Sequence, residues 1–103
     1  KIDVNSLEQE EKEQVVFKVQ IGTYLKSMKN DQFFIEIEAK ELYLNGTFKY
    51  YVGAENKKSD ADKIKIKMLN LGFNGAFVTA FYEDTRISMK EALDLQAKIK
   101  NNE

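Results

Sequence analysis

At 103 residues, 43% hydrophobic and 32% charged, the chain has the make-up of one globular domain with a single core. It contains no cysteine and no histidine, which excludes disulfides, thiolate nucleophiles and thiolate metal sites and removes the usual general base near neutral pH. A net charge of −1 argues against nucleic acid as a partner, since phosphate binding normally shows a domain-wide basic excess, and no apolar run approaches the roughly 20 residues that cross a bilayer.

Residues 1–14 (KIDVNSLEQEEKEQ) are polar and acidic and read as a linker. They carry no signal peptide and start without Met, so the sequence reads as a piece of a longer precursor. From Val15 the composition changes to Val, Ile, Phe and Tyr, which sets the domain at 15–103. In a first strand over 16–23 (VFKVQIGT), Phe17, Val19 and Ile21 point one way, Lys18 and Gln20 the other, and Gly22 ends the strand. The stretch 25–34 is either a short helix with Met28, Phe33 and Phe34 packed inward, or an irregular segment interrupted at Asn30 and Asp31. Ile35, Ile37 and Ala39 alternate with Glu36, Glu38 and Lys40, the pattern of an extended approach to a hairpin. Asn45 and Gly46 tolerate the positive φ of a type I′ turn, and join strands at 41–44 and 47–52.

Ser59 and Asp62 have the spacing of a capping box, Ala61, Ile64, Met68 and Leu71 form one apolar stripe, and Gly72 supplies a left-handed stop. A strand at 76–82 then alternates Ala76, Val78 and Ala80 toward the core with Phe77, Thr79 and Phe81 on the other side. A turn at 83–85, a short extension at Arg86 and Ile87, and a helix over 88–100 capped by Ser88 with Glu91 complete the chain. Lys63, Lys65 and Lys67 read as a solvated helix face, and Asp60, Asp62, Asp84 and Glu91 as caps and turns.

The side chains on the non-core sides of these strands are Lys18, Gln20, Lys49, Tyr51, Phe77 and Thr79. An amide, cations and aromatics on a flat, open sheet make a recognition surface. Neither a nucleophile with its base nor a metal cluster assembles from this sequence, so the chain reads as a non-enzyme without a cofactor.

Three blocks in order, VQIGTY at 19–24, FKYYVG at 48–53 and GFNGAFV at 72–78, with the helix carrying Ala61 and Leu69 between the last two, resemble the SPOR domain, the sporulation-related repeat. The resemblance implies an α+β fold: a four-stranded antiparallel sheet with helices packed on one face, βαββαβ in the manner of ferredoxin and RNA-recognition motifs, followed here by a C-terminal helix. It also implies a monomer that binds peptidoglycan glycan strands stripped of their stem peptides, without membrane contact of its own, in the bacterial cell envelope, periplasmic or extracytoplasmic, and often at the division septum. Gln20 matches the glutamine this family uses in glycan binding, Thr23 the small hydroxyl residue just after the glycine, Lys49 a position that commonly holds Arg, and Phe77 an apolar position facing the glycan. The chain departs from the pattern in its short or irregular first helix, in Ala54-Glu55 after Gly53, and in Thr47 where some members carry an aromatic.

The residue chemistry suits a sugar polymer. Tyr51 and Phe77 can lie against the apolar face of a pyranose, and the Gln20 amide offers donors and an acceptor to hydroxyl or N-acetyl groups. Removal of a stem peptide frees the lactyl carboxylate of muramic acid, which Lys49 is placed to meet. Two alternatives share the same architecture: a protein-interaction domain that pairs through its sheet, and a single-stranded RNA binder that stacks bases on the aromatics.

Overall fold

The structure is a computed structural model that describes residues 14–101. Apart from Gln14, the predicted linker lies outside the described residues. Its organising element is β1 (Val15–Tyr24), where Val15, Phe17, Val19 and Ile21 are buried against the helices, as their alternation predicts. The strand does not end at Gly22. It runs on to Tyr24, whose ring lies across Gly22 in the space that a Cβ would need, 2.6 Å from the Tyr24 hydroxyl oxygen.

A short helix α1 (Gln32–Glu36) follows, and then β2 (Lys40–Leu44) and β3 (Thr47–Glu55). Asn45 and Gly46 join these two strands with φ of 54° and 81°, the positive pair a tight hairpin turn requires. Helix α2 (Lys58–Asn70) leads to β4 (Phe77–Tyr82), β5 (Thr85–Ile87) and α3 (Met89–Asn101). The sheet is antiparallel in the order β2-β3-β1-β4-β5. The class is α+β, but the sheet has five strands where four were expected. Glu83 and Asp84 both take positive φ, 51° and 65°, and the tight turn they form folds Arg86 back beside Phe81 as a strand.

Several local expectations change. Asp31 does not interrupt a helix but starts one, its carboxylate accepting from the backbone N–H of Phe33 and Phe34. Ile35 and Glu36 are therefore helical, not extended. Ser59 and Asp62 form no capping box: the cap lies two residues earlier, at Lys57, which makes no side-chain bond, and Asp62 pairs with Lys58 at 3.0 Å. Leu71 lies past the last turn and is exposed, whereas Ala61, Ile64 and Met68 of the same stripe pack inward. Gly72 takes the positive φ expected of it, and Ser88 and Glu91 bond reciprocally as a capping box.

The core falls into two clusters: Phe34 from α1 and Met68 from α2 pack with Val19, Tyr50 and Val52, and Ala61 from α2 and Ala92 from α3 pack with Val15, Phe17 and Ala80. Among the described residues the helices therefore cover one face of the sheet. The small residues Ala61, Ala80 and Ala92 let two helices lie close to the sheet around Phe17, which is fully buried.

Candidate functional site

The face turned away from the helices carries the predicted set, and the strand register shows how it is assembled. Gln20 on β1 stands between Tyr51 on β3 and Phe77 on β4, and Lys18 stands beside Thr79. Thr23 pairs with Lys49. Strict alternation would send Gln20 and Thr23 to opposite faces, since they are three residues apart. A bulge prevents this: two steps along β1, from Gln20 to Gly22, match one step along β3, from Tyr51 to Tyr50. Gln20 Nε2 consequently donates to Thr23 Oγ1 at 3.2 Å.

A second irregularity places an extra residue on β3, between Val52 and Glu55, where Gly53 has φ of 81°. The backbone angle favours glycine there, and a Cβ would lie 2.6 Å from Ile64 Cδ1 of α2, whose side-chain tip would have to move.

The face is less open than predicted. Thr79 is 1% exposed and its hydroxyl donates to the Lys18 carbonyl at 2.7 Å, Tyr51 is largely buried, and Gln20 is 8% exposed. The cause is the size of their neighbours. Tyr51 and Phe81 meet edge to face at 5.5 Å, Lys18 Nζ lies 4.7 Å from the centre of the Phe81 ring, and Arg86 reaches over Phe77 with its guanidinium carbon 5.9 Å from that ring's centre. Lys49 remains half-buried and Phe77 is 43% exposed, which leaves Phe77 as the accessible aromatic platform. Toward β2 the face deepens into a groove lined by Ile37, Leu42, Tyr51 and Phe81 together with the charged Lys18, Glu38 and Lys40.

Burial pushes the Tyr51 hydroxyl above the ordinary tyrosine range, while the charge and N–H groups of Arg86 pull it the other way. The Gln20 amide is only half used: Oε1 is buried and accepts no hydrogen bond. Such an acceptor costs about 1–3 kcal/mol while it stays unsatisfied. Arg86 is the residue that sequence reasoning left out of the site. Its signal was the Glu83-Asp84 pair, which as a two-residue hairpin turn sets Arg86 opposite Phe81.

Among the described residues no group of three or more His, Cys, Asp or Glu side chains is placed to hold a metal ion, and no helix is long and apolar enough to cross a membrane. The arrangement offers stacking area, two cations laid on aromatic rings, and an amide with a free acceptor. No family model, curated protein or solved structure matches the chain.

Proposed function

We propose that this chain is a non-catalytic module of the SPOR type that binds peptidoglycan glycan strands lacking stem peptides and so localises a parent protein in the bacterial envelope or at the septum. The observation that carries the reading is the Gln20 site: the amide belonging to the VQIGTY block sits between two aromatic side chains, Tyr51 and Phe77, with a buried acceptor unused. Aromatic faces flanking a hydrogen-bonding amide suit a pyranose, which is apolar on its ring faces and polar at its rim. The order β2-β3-β1-β4 with a helix in each crossover supports a ferredoxin-like βαββαβ layout, to which β5 is an addition. The short α1 is the departure from that family's pattern.

The test compares retention of the protein on sacculi stripped by an amidase, untreated sacculi, and sacculi whose glycan has been degraded. Retention on the first alone is expected. Phe77→Ala should weaken it by roughly two- to tenfold, the worth of one stacking contact, with little effect on stability because the ring is already exposed. Equal retention on all three preparations, or none, would sink the reading.

One observation favours a second reading, a protein-interaction domain. Leu42, Tyr43 and Leu44 are exposed on the edge strand β2, where another chain could add a strand. Light scattering of the isolated chain separates the two, since a dimer closed through β2 would show twice the monomer mass.

A further inference from the structure

The chain's sole arginine, Arg86, lies on β5, the strand outside the predicted layout. Its side chain leans over the Phe77 ring, and its charge counters the rise that burial gives the Tyr51 hydroxyl pKa. Phe77 and Tyr51 are the register partners of Gln20 on its two sides, so the guanidinium reaches from the sheet edge to the pair that flanks this amide. None of the ion pairs among the described residues involves Arg86. Beside it Gln20, more than nine-tenths buried, holds Oε1 without a donor.

These two needs point to a ligand with two features side by side. A guanidinium is a planar fork of N–H donors that matches a carboxylate bidentately, while a buried amide oxygen requires an N–H or O–H. We propose that Arg86, Tyr51 and Gln20 form a subsite for the carboxylate of an acidic, N-acylated sugar, with Arg86 taking the carboxylate and a neighbouring sugar N–H or O–H donating to Gln20 Oε1. The inference rests on the glycan reading and deepens it. In a stripped strand the matching anion is the lactyl carboxylate, and in a peptide-bearing strand that group is a neutral amide that gives the fork only one acceptor oxygen. The assignment moves the anion-reading role from Lys49 to Arg86. Lys49 is the register partner of Thr23 and Leu42, two positions along β3 from Tyr51, and carries a point charge without a fork.

The test titrates the isotope-labelled chain with N-acetylmuramic acid, its lactyl carboxamide and N-acetylglucosamine, reading chemical shifts of the Arg86 and Gln20 side-chain N–H groups. The acid should bind about tenfold more tightly than the carboxamide, as expected for a charge-assisted bond pair, and should shift both side chains. Arg86→Gln and Arg86→Lys should each lower affinity for the acid more than for the carboxamide, so that the preference shrinks or is lost while the melting temperature stays unchanged. Equal binding of acid and carboxamide, or a preference that survives Arg86→Gln and disappears in Lys49→Gln, overturns the subsite. Retention on stripped sacculi in either of those cases leaves the glycan reading standing, whereas failure to bind any of the sugars or stripped sacculi overturns both.

Discussion

Tyr50 is buried over its ring yet polar at its tip, and the structure meets that conflict with a small network. Its hydroxyl donates to the Glu41 carboxylate and accepts from the backbone N–H of Met28 at 2.5 Å, while Ser27 Oγ donates to the same Glu41 oxygen. The loop after β1 is thereby tied to the β2–β3 hairpin. The hydroxyls of Ser27 and then Tyr50 hold the Glu41 carboxyl below the ordinary glutamate range, with a smaller pull from Lys29. A lowered folded pKa means stability that is fully present above the ordinary glutamate pKa of about 4.3 and is lost as pH falls through the lower folded value. Melting temperature followed through the acid range should therefore drop in the wild type and be flatter in Glu41→Gln; parallel curves would show that Glu41 is not the group that titrates. Gln20 and Thr79 show the limit of reading at this scale. Alternation placed both on the correct face, but it carries no information about how far Tyr51, Phe81 and Phe77 close over them, because that depends on ring packing between strands distant in sequence. For the same reason Gln20→Glu is a poor probe of binding: it would bury a charge as well as remove a donor.

Helix ends give the clearest contrast among the elements. Helix α3 begins with a reciprocal Ser88–Glu91 box and α1 with the Asp31 carboxylate, whereas α2, which carries Ala61 and Met68 into the core, starts at Lys57 with no side-chain bond. The Lys57 backbone is already extended, φ −115° and ψ 131°, the conformation a capping residue adopts. Lys57→Asp should supply an acceptor for the first-turn N–H groups and a negative charge at the helix start, raising stability by about 0.5–1 kcal/mol. An increased urea midpoint at unchanged slope is the expected result, and an unchanged midpoint would mean that the new carboxylate stays in solvent. Strands β1 to β4, the Asn45-Gly46 turn, the Gly72 stop and the Ser88 cap were legible because each rests on a local rule: period-two alternation, positive φ, or a three-residue cap spacing. Helix α1 was not legible, since alternation over 35–40 imitates a strand while Asp31 is equally apt to stop a helix or to start one. What decides is Phe34, which Tyr24 and Tyr50 meet edge to face in the core.

For the molecule as a whole, the α+β class and the single covered sheet face follow from the sequence pattern, but the fifth strand does not, because β5 is only Thr85–Ile87 and has no alternation of its own. Its existence depends on the turn before it. The sheet order also has a kinetic meaning. Both outer pairs, β2 with β3 and β4 with β5, are hairpins of neighbouring segments, while β1 pairs Phe17 with Glu55 on one side and Ala80 on the other. Hairpins with short turns close quickly, whereas contacts across such separations must first overcome loop-closure entropy. Stopped-flow measurements should therefore find that Gly46→Val, which strains the β2–β3 turn, slows refolding, while Phe17→Ala, costing about 3–5 kcal/mol, chiefly speeds unfolding. The reverse pattern would place β1 in the folding nucleus. During synthesis β1, which emerges before the other strands of this sheet, is thus the one that must wait: Val15 to Gln20 have no partner on one side until Phe77 to Tyr82 emerge, so a chain released short of β4 would expose the apolar side of its central strand to proteases and to other chains.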